Sequence, residues 1–200
     1  MPESSRSRRR TAFISGPVDA SPDYFSTHYI PLLFPAIAAG DAFIMGPVPG
    51  IDTLALHFLL SQSVDPARIT VFMAHFEYAD ERWRKRYEEL GVGIRDVEDA
   101  QTTGERDAAM TANSDYDILR YRNEEEAKEW YGEMWWPRVS NTEMNERRRM
   151  GVVSKAYNLR GSVAQAPVVQ REGEGDERKE QKRKERKSIG KWMLGMLAKK

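Results

Sequence analysis

The sequence contains no cysteine. This absence excludes disulfide frameworks, thiolate nucleophiles and cysteine-based zinc sites, and it is typical of a reducing compartment. The sequence also lacks an apolar run long enough to span a bilayer. Its basic start, MPESSRSRRR, is not followed by the apolar stretch of a secretory signal. We therefore predict a cytoplasmic location, with the nucleus as the alternative.

No charge of one sign dominates, because 31 Lys+Arg residues face 31 Asp+Glu residues and the formal net charge is zero. Nucleic acid is therefore not the predicted partner, and binding through the arginine-rich ends is the weakest hypothesis. The three histidines have no metal-ligand spacing. The sequence predicts neither a metal site nor a cofactor.

Short apolar segments alternate with segments of helical periodicity. Strands are predicted at residues 11–17, 41–45, 68–74, 92–97 and 116–122, and helices at 24–39, 52–62, 79–90, 103–113 and 139–150. Pro31 and Pro35 predict that the first helix is bent or broken. This alternation is typical of βαβ units. The predicted fold class is α/β, a Rossmann-like open parallel sheet of about five strands with helices on both faces.

The composition divides the chain into four parts. Residues 1–10 are predicted to be a disordered basic leader, and residues 11–150 a Rossmann-like nucleotide-binding domain. Residues 151–187 form a charged low-complexity linker, and residues 188–200 a short apolar and basic tail. The two C-terminal parts are predicted to be disordered or helical. The tail is a candidate contact for a partner protein or a membrane surface.

The most informative segment is FIMGPVPGIDTLALHFLL, residues 43–60. Gly46 and Gly50 permit backbone conformations closed to other residues, and the N-terminus of the helix that follows attracts anions. Asp52 is predicted to cap that helix or to hold a ribose hydroxyl. The alternative is that the glycines only make the turn and Asp52 only caps the helix.

Ligands of open α/β sheets bind outside the carboxyl ends of the strands. Several turns and helix starts of this chain converge there if the predicted topology is right. The candidate ligand- and phosphate-binding residues are Ser15, Gly16, Gly46, Pro47, Gly50, Asp52, Thr53, Arg106, Ser140 and Thr142.

The motif G-x-x-x-G-I-D-T-L-A, from Gly46 to Ala55, follows a predicted strand. It resembles the SLOG superfamily of Rossmann-like domains, which includes the DNA-processing protein A domain and the lonely-guy phosphoribohydrolases. The opening FISGP also resembles the nucleoside 2-deoxyribosyltransferase-like proteins. The resemblance covers residues 11–150 and implies a pocket for a nucleotide or a nucleotide-derived ligand. The phosphoribohydrolase segment P-G-G-x-G-T-x-x-E is missing; Ser140 to Glu143 stand in its place, and Arg106 in that of an upstream arginine.

Cleavage of an N-glycosidic bond needs a carboxylate that stabilises an oxocarbenium-like centre or activates water. Glu143 and Glu105 are the candidate catalytic residues, with Asp52 third, and Arg106 would clamp a phosphate. Each has a structural alternative, because charged residues near helix starts commonly serve the helix.

The predicted function is therefore the binding of a nucleotide or nucleotide-derived small molecule, with hydrolysis or transfer of its N-glycosidic bond. The alternative is a non-catalytic nucleotide sensor or scaffold, and a homo-oligomer is compatible with either. The aromatic segment at residues 130–137 is interpreted either as a base-stacking wall or, with preference, as packing on the sheet edge.

Overall fold

The computed structural model describes residues 9–152. The predicted leader up to residue 8, and the linker and tail from residue 153 onward, lie outside the described residues. No helix between residues 9 and 152 combines the length and apolar character needed to cross a membrane. In chain order the elements are β1 (Thr11–Ser15), α1 (Pro22–His28), α2 (Ile30–Ala38), β2 (Ala42–Met45), α3 (Ile51–Ser61), β3 (Ile69–Ala74), α4 (His75–Tyr78), α5 (Glu81–Glu89), β4 (Gly93–Val97), α6 (Thr103–Ala112), β5 (Tyr116–Leu119), α7 (Glu124–Tyr131) and α8 (Asn141–Arg149), with 3₁₀ turns at Pro66–Arg68 and Gly132–Met134.

The five strands form one parallel sheet in the order β4-β3-β2-β1-β5. The predicted fold class is therefore confirmed. From β1 the chain adds strands in one direction as far as β4, and then returns to place β5 on the other side of β1. A crevice between β1 and β5 at the carboxyl edge is the expected consequence of this reversal.

Helices cover both faces because successive strand side chains point to opposite sides. Ala12 and Ile14 of β1 belong to the main core, which the helices α1, α2 and α3 complete. Phe13 points the other way and packs with Ile44, Phe72 and Met110 of α6 in a smaller second core. The strands are thus buried on both faces, as a covered parallel sheet requires.

The predicted helix over residues 24–39 is broken into α1 and α2. The break falls at Tyr29, two residues before Pro31 in the first turn of α2, and Pro31 lacks the amide hydrogen that a continuous helix would use at that position. Pro35 lies inside α2 without ending it. Tyr29 is fully buried, and its hydroxyl donates to the Ser15 carbonyl at 2.9 Å and accepts from the Arg120 amide at 3.0 Å.

Two helices, α4 and α7, are absent from the prediction. Helix α4 spans a single turn directly after β3. Helix α7 begins with a capping box in which Asn123 accepts from the Glu126 amide and Glu126 accepts from the Asn123 amide. An Asn-x-x-Glu pattern is a recognised helix start, so this signal was present in the sequence.

Candidate functional site

The turn between β2 and α3 is packed against the loop that follows β1. Gly50 has φ +82°, and a Cβ there would lie 2.3 Å from the Pro17 carbonyl oxygen and 2.5 Å from the Val18 carbonyl carbon. The Ile51 amide donates to the Pro17 carbonyl at 3.2 Å. Glycine is therefore required at position 50 by conformation and by space. One of the amides that open α3 is already used by the chain's own loop.

Asp52 points inward beneath the turn instead of outward. Its side chain is buried and accepts a hydrogen bond from the Gly46 amide. A Cβ at position 46 would lie 2.8 Å from Asp52 Oδ2 and 3.0 Å from Arg106 Cζ. Gly46 thus permits the backbone of the turn to approach both a carboxylate and a guanidinium.

Other predicted residues of the turn brace it. The Thr53 hydroxyl donates to the Val48 carbonyl at 2.9 Å. The Pro47 carbonyl accepts from the Tyr87 hydroxyl at 3.1 Å. Burial raises the pKa of Tyr87 to about 12, so its hydroxyl stays protonated and remains a donor. These contacts fix the shape of the turn from within the domain.

A buried acid–arginine cluster, formed by Asp52, Glu77, Arg106 and Asp107, lies under the turn. Arg106 donates from Nη1 to Glu77 Oε1 at 2.6 Å and from Nη2 to Asp107 Oδ1 at 2.9 Å. The second oxygen of Glu77 accepts from the Ala74 amide at 2.8 Å, at the end of β3. All four side chains of the cluster are buried.

The cluster carries three carboxyl groups and one guanidinium, so its net charge is −2 when all four are ionised, and each proton that a carboxyl holds reduces this excess of negative charge by one. Burial, together with the Asp107 and Glu77 carboxylates, raises the pKa of Asp52 well above its ordinary value, against the opposing effects of Arg106 and the Gly46 amide. Burial disfavours the charge of Arg106, but Asp107 and Glu77 outweigh it and raise the pKa of Arg106. Asp52 therefore holds a proton more readily than an ordinary aspartate does.

Two uncharged side chains extend the cluster toward β1 and α8. Asn145 donates from Nδ2 to Ser15 Oγ at 3.0 Å and to Asp107 Oδ2 at 3.2 Å. Its Oδ1 accepts from Arg148 Nη1 at 2.5 Å. The network therefore joins the carboxyl ends of β1, β2 and β3 to α6 and α8.

The structure brings four of the predicted ligand-binding residues into this network or against it, namely Ser15, Gly46, Asp52 and Arg106. Gly16 lies at the edge, and its lack of a side chain has a packing reason. A Cβ there would meet the Tyr29 hydroxyl at 2.2 Å and Ile51 Cγ1 at 2.4 Å. Arg106 is bound by two carboxylates in this state, so its guanidinium is shared with the protein and not held open for a phosphate.

The two predicted catalytic glutamates lie in helix starts. Glu105 is exposed and accepts from the Gln101 and Thr102 amides, and the Thr102 hydroxyl in turn accepts from the Glu105 amide. The Thr102 hydroxyl also donates to Glu105 Oε2 at 2.9 Å, and this hydrogen bond, followed by those from the two amides, lowers the pKa of Glu105. Glu143 Oε1 pairs with Arg147 Nη2 at 2.7 Å on the same helix. Within residues 9–152, the hydrogen bonds of the acid–arginine cluster include neither glutamate.

The geometry of helix α8 explains why Asn145 belongs to the buried network and Glu143 does not. Two helical positions are about 200° apart, so the two side chains leave the helix on nearly opposite sides. Thr142 and Asn145, three positions apart, share the buried side. Ser140 caps the helix by accepting from the Glu143 amide at 3.1 Å.

Sequence reasoning missed Glu77, Asp107 and Asn145. Glu77 follows the end of β3 by three residues, so the rule that sites lie at carboxyl ends of strands contained the signal. Asp107 stands beside the predicted Arg106. Asn145 had no signal, because only the packing of α8 against α6 and β5 turns it toward Ser15.

Within residues 9–152, no three histidine, aspartate or glutamate side chains are arranged to hold a metal ion. No protein family, no curated protein and no solved structure matches this chain in comparisons of sequence and structure. The resemblance to the SLOG superfamily thus stays a prediction. The chain has a Rossmann-like parallel α/β fold with a charged network at its carboxyl edge.

Proposed function

We propose that the domain binds a nucleotide or a nucleotide-derived small molecule at the carboxyl edge of its sheet. The observation that carries this proposal is the buried acid–arginine cluster directly beneath the Gly46 turn. Burying charges costs free energy, and apolar residues of similar volume commonly stabilise a fold as well or better. Clusters of titratable groups with displaced pKa values at this edge are therefore typical of functional sites.

The chemistry of the edge suits a ligand that combines a sugar with an anion. Carboxylates can accept hydrogen bonds from ribose hydroxyls. The start of α3 contributes the positive end of a helix dipole, whose field favours a negatively charged ligand at this edge. The first amide of α3, that of Ile51, already donates to the Pro17 carbonyl.

Titration calorimetry with AMP, GMP, CMP and UMP tests this proposal, together with the shift of the melting temperature. At least one nucleotide should bind and raise the melting temperature of the full chain. Asp52→Asn should weaken its binding, because the variant keeps the shape of the side chain but replaces a carboxyl that can give up its proton with an amide that cannot. Asp65→Asn is the matched control, since Asp65 is exposed before β3, at the opposite edge of the sheet. Absence of binding by all four nucleotides would overturn the proposal.

A second candidate function is cleavage of the N-glycosidic bond of that ligand. The raised pKa of Asp52 favours it, because a carboxyl that keeps its proton can act as a general acid. In this step water adds to the anomeric carbon, the carbon–nitrogen bond breaks, Asp52 protonates the departing base, and a neighbouring carboxylate takes the proton of the water. The products are the free base and the sugar phosphate.

Chromatography of the incubated nucleotides separates this candidate from the non-catalytic sensor. Release of free base that Asp52→Asn abolishes would support cleavage at the cluster. If base release survives Asp52→Asn and is lost in Glu143→Gln or Glu105→Gln, the catalytic carboxylate is the glutamate at that helix start and not Asp52. Binding with no product would leave the sensor as the function.

A further inference from the structure

A second polar cluster lies past the carboxyl ends of β1 and β5. It joins the loop after β1 to the segment after β5 through Asp19, which accepts from Arg122 Nη1 at 2.8 Å and from Trp130 Nε1 at 3.0 Å. The order of the sheet reverses between these two strands. This is the position at which open α/β sheets bind ligands.

The cluster alternates guanidinium groups with aromatic rings. Arg122 Cζ lies 5.2 Å from the centroid of Tyr24, 4.4 Å from that of Trp130 and 5.7 Å from that of Tyr131. Arg138 Cζ lies 5.5 Å from the centroid of Tyr131 and 5.3 Å from that of Trp136. We call these six residues the Arg–aromatic surface: Tyr24, Arg122, Trp130, Tyr131, Trp136 and Arg138.

Of the Arg–aromatic surface, Tyr24 packs against the main hydrophobic core, whereas Trp130, Tyr131 and Trp136 do not belong to either core cluster. Helix α7, which carries Trp130 and Tyr131, has no buried residue. Trp130 is 42% exposed although its indole nitrogen is bonded to Asp19. Arg138 is exposed, and among residues 9–152 its guanidinium has no hydrogen bond and no ion pair. The preferred interpretation of this aromatic segment, packing on the sheet edge, does not explain these positions.

We propose that the Arg–aromatic surface holds the base and an anionic group of the ligand, the base stacked on Trp130 and the anion on Arg138. An exposed indole offers a face to any planar base, and the unpaired fork of an arginine suits a phosphate. Arg122 is bonded to Asp19 and keeps the indole in place. This inference rests on the proposed function and adds where the base and an anionic group lie, which the acid–arginine cluster does not specify.

The test compares three probes: the nucleoside monophosphate that binds tightest among the four above, its nucleoside, and ribose 5-phosphate. Trp130→Ala should weaken the nucleotide and the nucleoside by about fivefold or more, the lower end of what one base stack contributes, and leave ribose 5-phosphate unchanged. Arg138→Ala should weaken the nucleotide and ribose 5-phosphate and leave the nucleoside unchanged. Trp130→Phe should bind as the unmodified protein does, because it keeps an aromatic face.

Matched controls come from α5, where Trp83 is 37% exposed and Arg82 is exposed. Trp83→Phe and Arg82→Ala should bind all three probes as the unmodified protein does. If a nucleotide binds and the Trp130 and Arg138 variants behave like these controls, the inference is overturned while the proposed function stands. If no nucleotide binds the unmodified protein, both are overturned. A melting curve for each variant separates lost binding from lost folding.

Discussion

Arg106 Nη1 lies 2.6 Å from Glu77 Oε1, and the two side chains are only 4% and 2% exposed. This ion pair fixes the start of α6 to the short helix α4 at the end of β3. Water does not reach it to compensate either charge if the other is removed. Removal of one partner would therefore leave an uncompensated buried charge at the centre of the candidate site.

Arg106→Ala should lower the free energy of unfolding by about 3–5 kcal/mol, because it leaves Glu77 and Asp107 buried without their counter-charge. Urea denaturation measures the change. Arg82→Ala is the control, since Arg82 pairs with Asp80 at the surface, and its midpoint should stay close to that of the unmodified protein. Equal effects of the two substitutions would contradict the claim that Glu77 and Asp107 need the buried charge of Arg106.

Asp52→Asn should change how stability depends on pH. The folded protein holds a proton on Asp52 above pH ~4, where the unfolded chain has released it. Rising pH therefore destabilises the unmodified protein until the raised pKa is passed, by up to about 1.4 kcal/mol per pH unit. The variant lacks this dependence, so its free energy of unfolding should rise relative to that of the unmodified protein as the pH rises. Urea denaturation between pH 4 and pH 8 measures the difference.

Asp80→Asn provides a control of opposite sign for that experiment. Hydrogen bonds from the Arg82 side chain and amide lower the pKa of Asp80, so its contribution is lost as the pH falls through that pKa. Asparagine keeps the helix cap at this position. Asp80→Asn should therefore lose stability relative to the unmodified protein as the pH rises. If Asp52→Asn also loses stability in this way, Asp52 is ionised in the folded protein.

Gly46→Ala should destabilise the domain by about 1–3 kcal/mol, because the new methyl group would lie 2.8 Å from Asp52 Oδ2 and 3.0 Å from Arg106 Cζ, both held by buried contacts. Gly104→Ala is the matched control. Its methyl group would have no neighbour closer than 3.7 Å, and alanine favours the helix by about 0.5–1 kcal/mol. In thermal denaturation, the melting temperature of Gly46→Ala should lie below that of the unmodified protein, and the melting temperature of Gly104→Ala should lie above it.

Tyr29→Phe should cost about 1–3 kcal/mol, because the Ser15 carbonyl and the Arg120 amide would lose a buried partner. Tyr78→Phe is the control, since the Tyr78 hydroxyl has no hydrogen bond within residues 9–152. Chemical denaturation of both variants measures the costs. A loss in Tyr29→Phe no larger than in Tyr78→Phe would mean that the hydroxyl does not hold the β1 and β5 ends together.

Glu105→Ala and Glu105→Gln separate the capping role of Glu105 from a catalytic one. Glutamine also closes a capping box, so Glu105→Gln should keep the melting temperature and Glu105→Ala should lower it. If both variants retain ligand binding and any base release, Glu105 serves the helix only. Loss of turnover in the well-folded glutamine variant would restore Glu105 as a catalytic residue.

The elements of the sheet were predictable because their signals are local. The apolar runs of β1, β2 and β3 are bounded by turn residues, and their order along the chain implies a parallel sheet. The Gly46 turn was also recognisable as a candidate site. Helix α7 was missed because its aromatic and charged residues lack an apolar stripe, although Asn123 and Glu126 carried a start signal.

The residues that belong to the site were harder to predict, because this depends on the direction in which each side chain points. Asp52 was placed correctly along the chain, but no local pattern tells whether its carboxyl faces a ligand or lies under Gly46. Glu143 and Asn145 are two positions apart on one helix, and the packing of α8 turns only Asn145 into the network. Residues far apart in sequence, such as Glu77 and Arg106, meet only when α4 and α6 are placed on the sheet.

By itself the sequence determined the α/β class, the parallel order implied by alternating elements, and the glycine turn that opens α3. Periodicity and turn chemistry act over a few residues, so the chain contains them without its fold. Only the tertiary structure decided that Arg106 is held by two carboxylates, that Asp52 is buried beneath Gly46, and that Trp130 and Tyr131 lie against Arg122. These are long-range choices, set by which side chains the packed helices bring together and by the free-energy cost of leaving a buried charge without a partner.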